Sequence, residues 1–469
     1  MFRFLRSFSL FCVFVFAVLT ASPACLAEEI QPIKYVFLFI GDGMSIPQRQ
    51  LAEEYSKAME NRGLRINDMP YESITTTYAA NAFITDSAAA GTAIACGFKT
   101  NNGVLGLDAE GARLESIAET AHQCGRKVGI ITSVTINHAT PAAFYAHNVS
   151  RGNEYEIGLD LVKSGFEYFG GGGIAAHESK GTSIYALAQE AGYTVCRSEA
   201  AVRALKPGSG NVIALGSDGY LPFAIDSGGT GLRLPDFTKQ AIELLDNPQG
   251  FFIMVEGGAI DTACHSNDAG AAILDTLEFD HAVEWAFEFA KNKPNEVLIV
   301  VTGDHETGAL VPGDPKTKQL CVGLLSKQKA SGDGLVALTD KFIKDNKEKA
   351  SFEQFKPVIR EVCGLSYSMT EQWKPGNLVL TLDELKKLED DFNVTKAAVL
   401  GNKTGTDTLA RTMIRILNAK AGVCWGRGDH TALPVSTSLW GNQAAEISKS
   451  IRDNTDIAKQ LRQAVRTLP

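Results

Sequence analysis

The residues best suited to chemistry stand in Phe251–His265, FFIMVEGGAIDTACH, where Glu256, Asp261 and His265 follow closely on one another. Asp261 and His265 are four positions apart, so one helical turn sets both on one face. Zinc takes histidine nitrogen and aspartate oxygen, so a strand-end carboxylate and such a pair could ligate one. An N-capping aspartate beside a surface histidine explains this stretch alone equally well. Gly257 and Gly258 allow the sharp turn that either reading needs.

Similar acids recur along the chain. Asp42 lies in Gly41-Asp42-Gly43-Met44, and Asp304 and His305 lie in Gly303-Asp304-His305-Glu306. His430 follows Asp429 in a loop that starts at Cys424. Ser87 follows Ile84-Thr85-Asp86 and opens an alanine-rich run. At the first turn of a helix, free N–H groups and the helix dipole favour an anion. Thr85, Asp86 and Ser87 are also all ordinary N-cap types. The stretch from Ser133 to Arg151 adds His138, Thr140 and His147 as polar candidates. Arg151 could clamp a phosphate in a bidentate fork, which lysine cannot do.

The elements that position these residues come next. Phe251–Val255, Lys34–Ile40 and Glu296–Thr302 are apolar runs without alternation, which predicts strands buried on both faces. Each delivers an acid at its C-terminal end, the edge where ligands gather in open α/β sheets. Neighbouring residues on a strand face opposite ways, so Asp304 and His305 converge only where Gly303 bends the chain. Lys127–Thr132, Thr194–Arg197, Val212–Leu215 and Ala432–Trp440 read as further strands. Helices are expected at 48–61, 88–95, 114–123, 183–191, 238–245 and 268–291, with closing helices over 443–468. In Asp268–Lys291 the apolar positions Ile273, Leu277, Val283 and Phe287 recur at helical spacing, and His281 is an ordinary helix residue. Gly170–Gly173 lacks the GxGxxG spacing and the lysine of a P-loop, and reads as a turn. Residues 312–423 are rich in charge and helical patterning and read as a helical insertion over the ligand edge. The expected fold is α/β, a three-layer α/β/α sandwich with a large, mostly parallel central sheet.

Composition sets the outer bounds. With 469 residues, 45% of them hydrophobic, a large core is within reach. Residues 1–27 read as a secretory signal peptide: Arg3 and Arg6, the apolar run Leu10–Leu19, then small residues up to Ala27. That places the mature chain, 28–469, in the periplasm or outside the cell, with no stable membrane insertion after cleavage. A lipoprotein anchored through Cys25 is the weaker alternative, since Ser22-Pro23-Ala24 lacks the usual leucine. Losing Arg3 and Arg6 moves the net charge from −9 to −11, which argues against nucleic-acid binding. Of nine cysteines, Cys12 and Cys25 leave with the signal, so an odd number remains and at least one is unpaired within the chain. No CxxC pair suggests a zinc ribbon.

Three apolar strands ending in acids, three histidines beside such turns and one serine at a helix start favour metal-dependent catalysis over scattered caps. At this point the chain resembles the alkaline phosphatases. The resemblance rests on Phe39–Met44, Thr85–Ala89, His138–Pro141 through Arg151, Val255–His265, Thr302–His305 and Asp429–Thr431, in the family's order, and is weakest over 312–423. It implies a phosphomonoesterase acting on small phosphate monoesters, with two Zn²⁺ ions and one Mg²⁺, and allows a homodimer. Carried over by position, Asp261, His265 and His430 hold one zinc, and Asp42, Asp304 and His305 the second. Asp42, Thr140 and Glu256 reach the magnesium. Ser87 is the nucleophile, passing through a phosphoserine, and Arg151 binds the phosphate.

The resemblance also suits the chemistry. Serine needs activation to attack, and paired metals can stabilise both attacking and leaving oxygens. Four carboxylates against three divalent ions and Arg151 leave a net positive site that attracts a phosphate dianion. Two positions depart from relatives. His138 stands where some bacterial members have an acid, which bears on the third ion's identity. Thr262 stands where relatives carry Lys, His or Trp that contacts phosphate. Cys264, just before a ligand position, reads as a small buried residue. The competing readings are a phosphodiesterase or sulfatase on the same scaffold and a secreted metal- or phosphate-binding protein without turnover.

Overall fold

Alternation inside the apolar runs decides the layering. In the strand Tyr35–Gly41, Val36, Leu38 and Ile40 pack into one hydrophobic cluster, and Tyr35, Phe37 and Phe39 into another. The strands Phe251–Gly257 and Val297–Gly303 divide in the same way. Successive side chains of a strand point to opposite faces, so a run without polar positions has to be covered twice. Each large apolar side chain so buried contributes about 1.5–3 kcal/mol. Helices Ser87–Cys96, Ile117–Gln123 and Asn454–Arg466 cover one face, and Leu234–Leu245 and Ala269–Ala290 cover the other. The result is the expected three-layer α/β/α arrangement.

The computed structural model describes residues 32–466 apart from 369, 371, 373 and 404. The signal peptide expected over 1–27, with Cys12 and Cys25, lies outside the described residues. Among the described residues the central sheet has nine strands, in the order 71–75, 435–441, 297–303, 35–41, 251–257, 127–132, 168–171, 212–215 and 194–196. Its pairings are parallel except those made by Val435–Gly441, which runs against both neighbours. Gly41 is in register with Gly257 on one side and Gly303 on the other, so three acid-bearing turns leave the sheet at one level.

Two strands of the central sheet differ from the sequence expectation, and helices such as Glu154–Ser164 were not expected at all. Tyr168–Gly171 is a buried strand inside the sheet, not a turn. Glycine has low strand propensity and no side chain to pack, so the run hides its own pairing. Tyr71–Thr75 is an edge strand with only two buried positions, too few to show as a pattern. Residues 312–423 carry the helices Gly332–Asn346, Phe352–Cys363, Leu382–Leu400 and Thr408–Ala421. These share a cluster that includes Leu335, Phe355, Phe392 and Met413. Backbone N–H groups of Ser331 and Gly332 donate to Asp226 and Asp268, both at 2.8 Å.

All seven cysteines among the described residues are free thiols. No helix among the described residues is long and apolar enough to cross a membrane. The strand ends are tightly built. A Cβ at Gly303 would stand 2.1 Å from the Met44 carbonyl oxygen. Gly303→Ala should therefore force the strand away from the turn that carries Asp42 and destabilise the fold by about 1–3 kcal/mol. A urea-unfolding midpoint unchanged from the parent would show that the turn yields freely.

Candidate active site

The ends of the strands Tyr35–Gly41, Phe251–Gly257 and Val297–Gly303 place Asp42, Glu256, Asp304 and His305 side by side, all fully buried: Glu256 at the end of its strand, the others in the loops that follow theirs. Each carboxylate is half satisfied. Asp42 Oδ2 accepts from Thr140 Oγ1 at 3.2 Å. Asp304 Oδ1 accepts from the backbone N–H groups of Gly43 at 3.0 Å and His305 at 2.8 Å. Glu256 Oε2 accepts from Thr132 Oγ1, which lies on the neighbouring strand. The other oxygens, Asp42 Oδ1, Asp304 Oδ2 and Glu256 Oε1, accept no hydrogen bond although buried. An unpaired buried carboxylate oxygen is expensive to keep ionised. Burial, then Asp304, pushes the Asp42 carboxyl well above its ordinary range; burial, then Asp261, does the same to Asp304.

Asp261 and His265 sit on the helix Ala259–His265, as their spacing predicts. His265 Nδ1 lies 2.6 Å from the Gly428 carbonyl oxygen, and His430 Nδ1 lies 2.9 Å from that of Thr85. A carbonyl only accepts, so both Nδ1 atoms carry protons and each Nε2 is the nitrogen that can ligate. The two Nε2 atoms face each other at 3.1 Å, within 3.2 and 3.7 Å of the Asp261 oxygens. Burial pushes the Asp261 carboxyl up, but its bond to His265 and the charges of the three histidines hold it below the usual range. His305 Nε2 lies 3.2 Å from Asp304 Oδ2 and 3.5 Å from Asp42 Oδ1. Burial, then His430, pushes the His305 imidazole well below its ordinary value. Its ring stacks on that of His430 with centroids 3.7 Å apart.

Three groups of convergent donors result: Asp261, His265 and His430; Asp42, Asp304 and His305; and Asp42, His138 and Glu256. Within each, the ligand atoms lie within 4.8 Å of one another. Thr140 joins the third group through Asp42. The orphaned oxygens and the facing Nε2 atoms fit bound divalent cations, which supply the positive charge the donors lack. Thr262 is half-buried between Asp261 and His265, and no hydrogen bond among the described residues links it to these groups. His147 instead meets the Leu114 carbonyl at 2.8 Å and Glu119 at 3.5 Å. Cys264 is buried, as expected, and burial pushes its thiol well up.

Ser87 opens the helix Ser87–Cys96, and its Oγ lies 3.2 Å from His305 Nε2. Asp86 proves to be the N-cap, its Oδ1 accepting from Ala89 N at 3.0 Å. Its other oxygen accepts from Gly103 N and from Arg151 Nη1, both at 3.1 Å. Arg151 Nη2 lies 3.1 Å from His138 Nε2. A guanidinium only donates, so His138 accepts there and its proton sits on Nδ1, 3.5 Å from Glu256 Oε1.

Sequence reasoning missed the braces behind these groups. Thr307 Oγ1 donates to Asp261 Oδ1 at 2.5 Å. The buried Glu306 carboxylate accepts from Gln48 Nε2 at 2.9 Å, from the N–H groups of Ala309 and Leu310 at 3.2 Å, and from Thr431 Oγ1. It thereby ties the Asp304–His305 turn to the helix after Asp42 and to the strand bearing His430. The one available signal was an acid directly after His305; its distant donors leave no local pattern. Glu306→Ala strands these donors and should lower stability by about 2–4 kcal/mol. An unfolding midpoint equal to the parent's would show that water replaces the carboxylate.

A family model described as Alkaline phosphatase matches residues 33–168 and 175–467. Alkaline phosphatase 4 of Bacillus subtilis (strain 168) is 31% identical over 469 residues, covering 96% of this chain and 92% of that protein. The solved structure of the cold-active alkaline phosphatase from the psychrophile Shewanella sp. has a TM-score of 0.78 at 25% identity, covering 92% of this chain and 100% of its own. That of Thermus thermophilus alkaline phosphatase has a TM-score of 0.75 at 26% identity, covering 95% of each chain. A match of this extent, in sequence and in fold, shows that the chain is an enzyme of the alkaline phosphatase family.

Proposed function

We propose that this chain hydrolyses phosphate monoesters to an alcohol and inorganic phosphate through a phosphoserine at Ser87. The observation that carries the reading is the Ser87 hydroxyl. It is buried 3.2 Å from His305 Nε2, the nitrogen that also faces the unpartnered oxygens of Asp42 and Asp304, with Arg151 fixed by the same Asp86 that caps its helix. Asp261, His265 and His430 would hold one zinc ion, and Asp42, Asp304 and His305 the other, since imidazole nitrogen suits zinc. Asp42, Thr140 and Glu256 would hold magnesium. These three offer only oxygens, as magnesium prefers, and His138 stands beside them with Nδ1 3.5 Å from Glu256 Oε1 and Nε2 accepting from Arg151.

The residues divide the work. The Arg151 fork grips two non-bridging phosphoryl oxygens, and Asp86 and His138 hold one nitrogen each of that fork. Asp86 also fixes the first turn of the Ser87–Cys96 helix, whose dipole favours a negative oxygen at Ser87. The Ser87 oxygen gives up its proton and forms its bond to phosphorus as the bond from phosphorus to the ester oxygen breaks; the ester oxygen takes up a proton and leaves as the alcohol. Water then attacks the phosphoserine, restoring the Ser87 hydroxyl and releasing phosphate. When bound, divalent cations lower the cost of ionising serine and water and neutralise charge on the reacting oxygens. The features of residues 1–27 support export to the periplasm or beyond.

Two outcomes are expected. An aryl phosphate monoester should turn over faster than an aryl phosphodiester, with Ser87→Ala lowering monoester turnover by roughly 10³-fold or more and chelation abolishing it until zinc and magnesium return. Preference for the diester would move the function to a phosphodiesterase; bound zinc without turnover would make the protein a metal-binding one. The second outcome concerns pH. Its bond to Asp261 raises the His265 imidazole to about 9, against the opposing effect of burial. Zinc requires the unprotonated Nε2, so binding releases that proton. Zinc affinity of the group formed by Asp261, His265 and His430 in the metal-free protein should then rise about tenfold per pH unit up to that value and flatten above it. A flat profile over that range would show that His265 is not displaced from its proton.

A further inference from the structure

The glycine run Gly170–Gly173 plays no part in the chemistry above, yet its backbone is crowded. A Cβ at Gly172 would stand 2.4 Å from the Gly219 carbonyl oxygen, and one at Gly173 would stand 2.1 Å from that of Asp218. Only glycines let the loop 217–221 lie this close. The loop is then pinned. Gly173 N donates to Gly219 O at 2.6 Å, and Leu221 N donates to Ser133 O at 2.9 Å. Ser217 Oγ lies 2.8 and 2.7 Å from the carbonyl oxygens of Gly219 and Tyr220. Ser133 follows Thr132, the partner of Glu256, so the loop is anchored at the edge of the sheet that carries the acids.

What the loop presents there is Tyr220. The residue is 48% exposed, in contrast to the buried polar groups beside it. The ring stands edge-on to His138, with centroids 6.3 Å apart and planes at 81°, and His138 touches Arg151. The phenol hydroxyl makes no hydrogen bond among the described residues. Burial, then Glu256, raises its pKa, with Arg151 opposing and Asp42 adding, so the ring lies within the field of the phosphate site. A rigidly held, half-exposed aromatic ring beside an otherwise polar site offers a flat apolar surface to whatever is attached to the phosphoryl group.

We propose that Tyr220 is a specificity-determining residue: its ring packs against the alcohol portion of the substrate and favours monoesters whose alcohol carries a planar aromatic group over small aliphatic ones. The inference rests on the phosphomonoesterase reading and names the substrate class within it. Aromatic packing of this kind corresponds to about three- to tenfold in affinity.

The test compares an aryl phosphate, a nucleoside 5′-monophosphate and glycerol phosphate with the metal-replete mature protein and its Tyr220→Ala and Tyr220→Phe variants. Tyr220→Ala should lower the ratio of kcat/KM for each aromatic ester over that for glycerol phosphate by about three- to tenfold, chiefly through KM. Tyr220→Phe should keep the parent ratio. A loss equal for all three esters would mean that Tyr220 only supports the His138–Arg151 pair, and an unchanged ratio would mean that the ring does not meet the substrate; either overturns the proposal. Dissociation constants for benzylphosphonate and propylphosphonate separate this from the underlying reading. Weaker benzylphosphonate binding by Tyr220→Ala in a protein without turnover would sustain the ring contact and overturn the phosphomonoesterase assignment.

Discussion

Three carboxylate oxygens, on Asp42, Glu256 and Asp304, are buried side by side without a hydrogen-bond donor. Removing such groups from water costs on the order of several kcal/mol each unless positive charge or donors meet them. The surrounding structure answers half of that demand with fixed partners. The backbone of Gly43 and His305 serves Asp304, Thr140 serves Asp42, and Thr132 serves Glu256. The other half is left facing inward, beside His305 Nε2, whose ring meets Thr307 Oγ1 through Nδ1, and beside His138 Nδ1, whose ring meets Arg151 through Nε2. Such an arrangement persists because the strands beneath it are covered on both faces, and their register is set by continuous parallel pairing rather than by the site itself.

How much of this was legible beforehand depends on how local the cause is. The strands ending at Asp42, Glu256 and Asp304 were readable because a fully apolar run has one stable setting, with both faces buried. Asp261 and His265 were readable because a helix fixes what four residues of separation means. The strand Tyr168–Gly171 was not, because its backbone pairs while its glycines carry no strand signal. Glu306 looked like one more acid in a charged turn; its donors come from Gln48, Ala309, Leu310 and Thr431, and the most distant of them meet only in the folded chain. The direction of the His138 nitrogens likewise depends on Arg151 lying across from it, which sequence separation does not encode. Assignment of individual residues to individual metal groups came from family resemblance, since the spacing of acids and histidines admits several partitions.

Asp86 shows how one side chain can join secondary structure to the site. A capping aspartate ordinarily uses one oxygen on the helix it starts. Here the second oxygen reaches Gly103 N and Arg151, so helix initiation and placement of the guanidinium share a single carboxylate. The plain N-cap reading of Thr85-Asp86-Ser87 is therefore compatible with the functional one rather than opposed to it. The cap orients Ser87, and its remaining oxygen holds Arg151 at the same helix start.

The seven free thiols among the described residues bear on how this chain reaches its native state. A fold of this size buries enough apolar surface to do without covalent staples. Among the described residues there is no cross-link to close or reshuffle, so the folding of this part needs neither an oxidant nor an isomerase acting on sulfur.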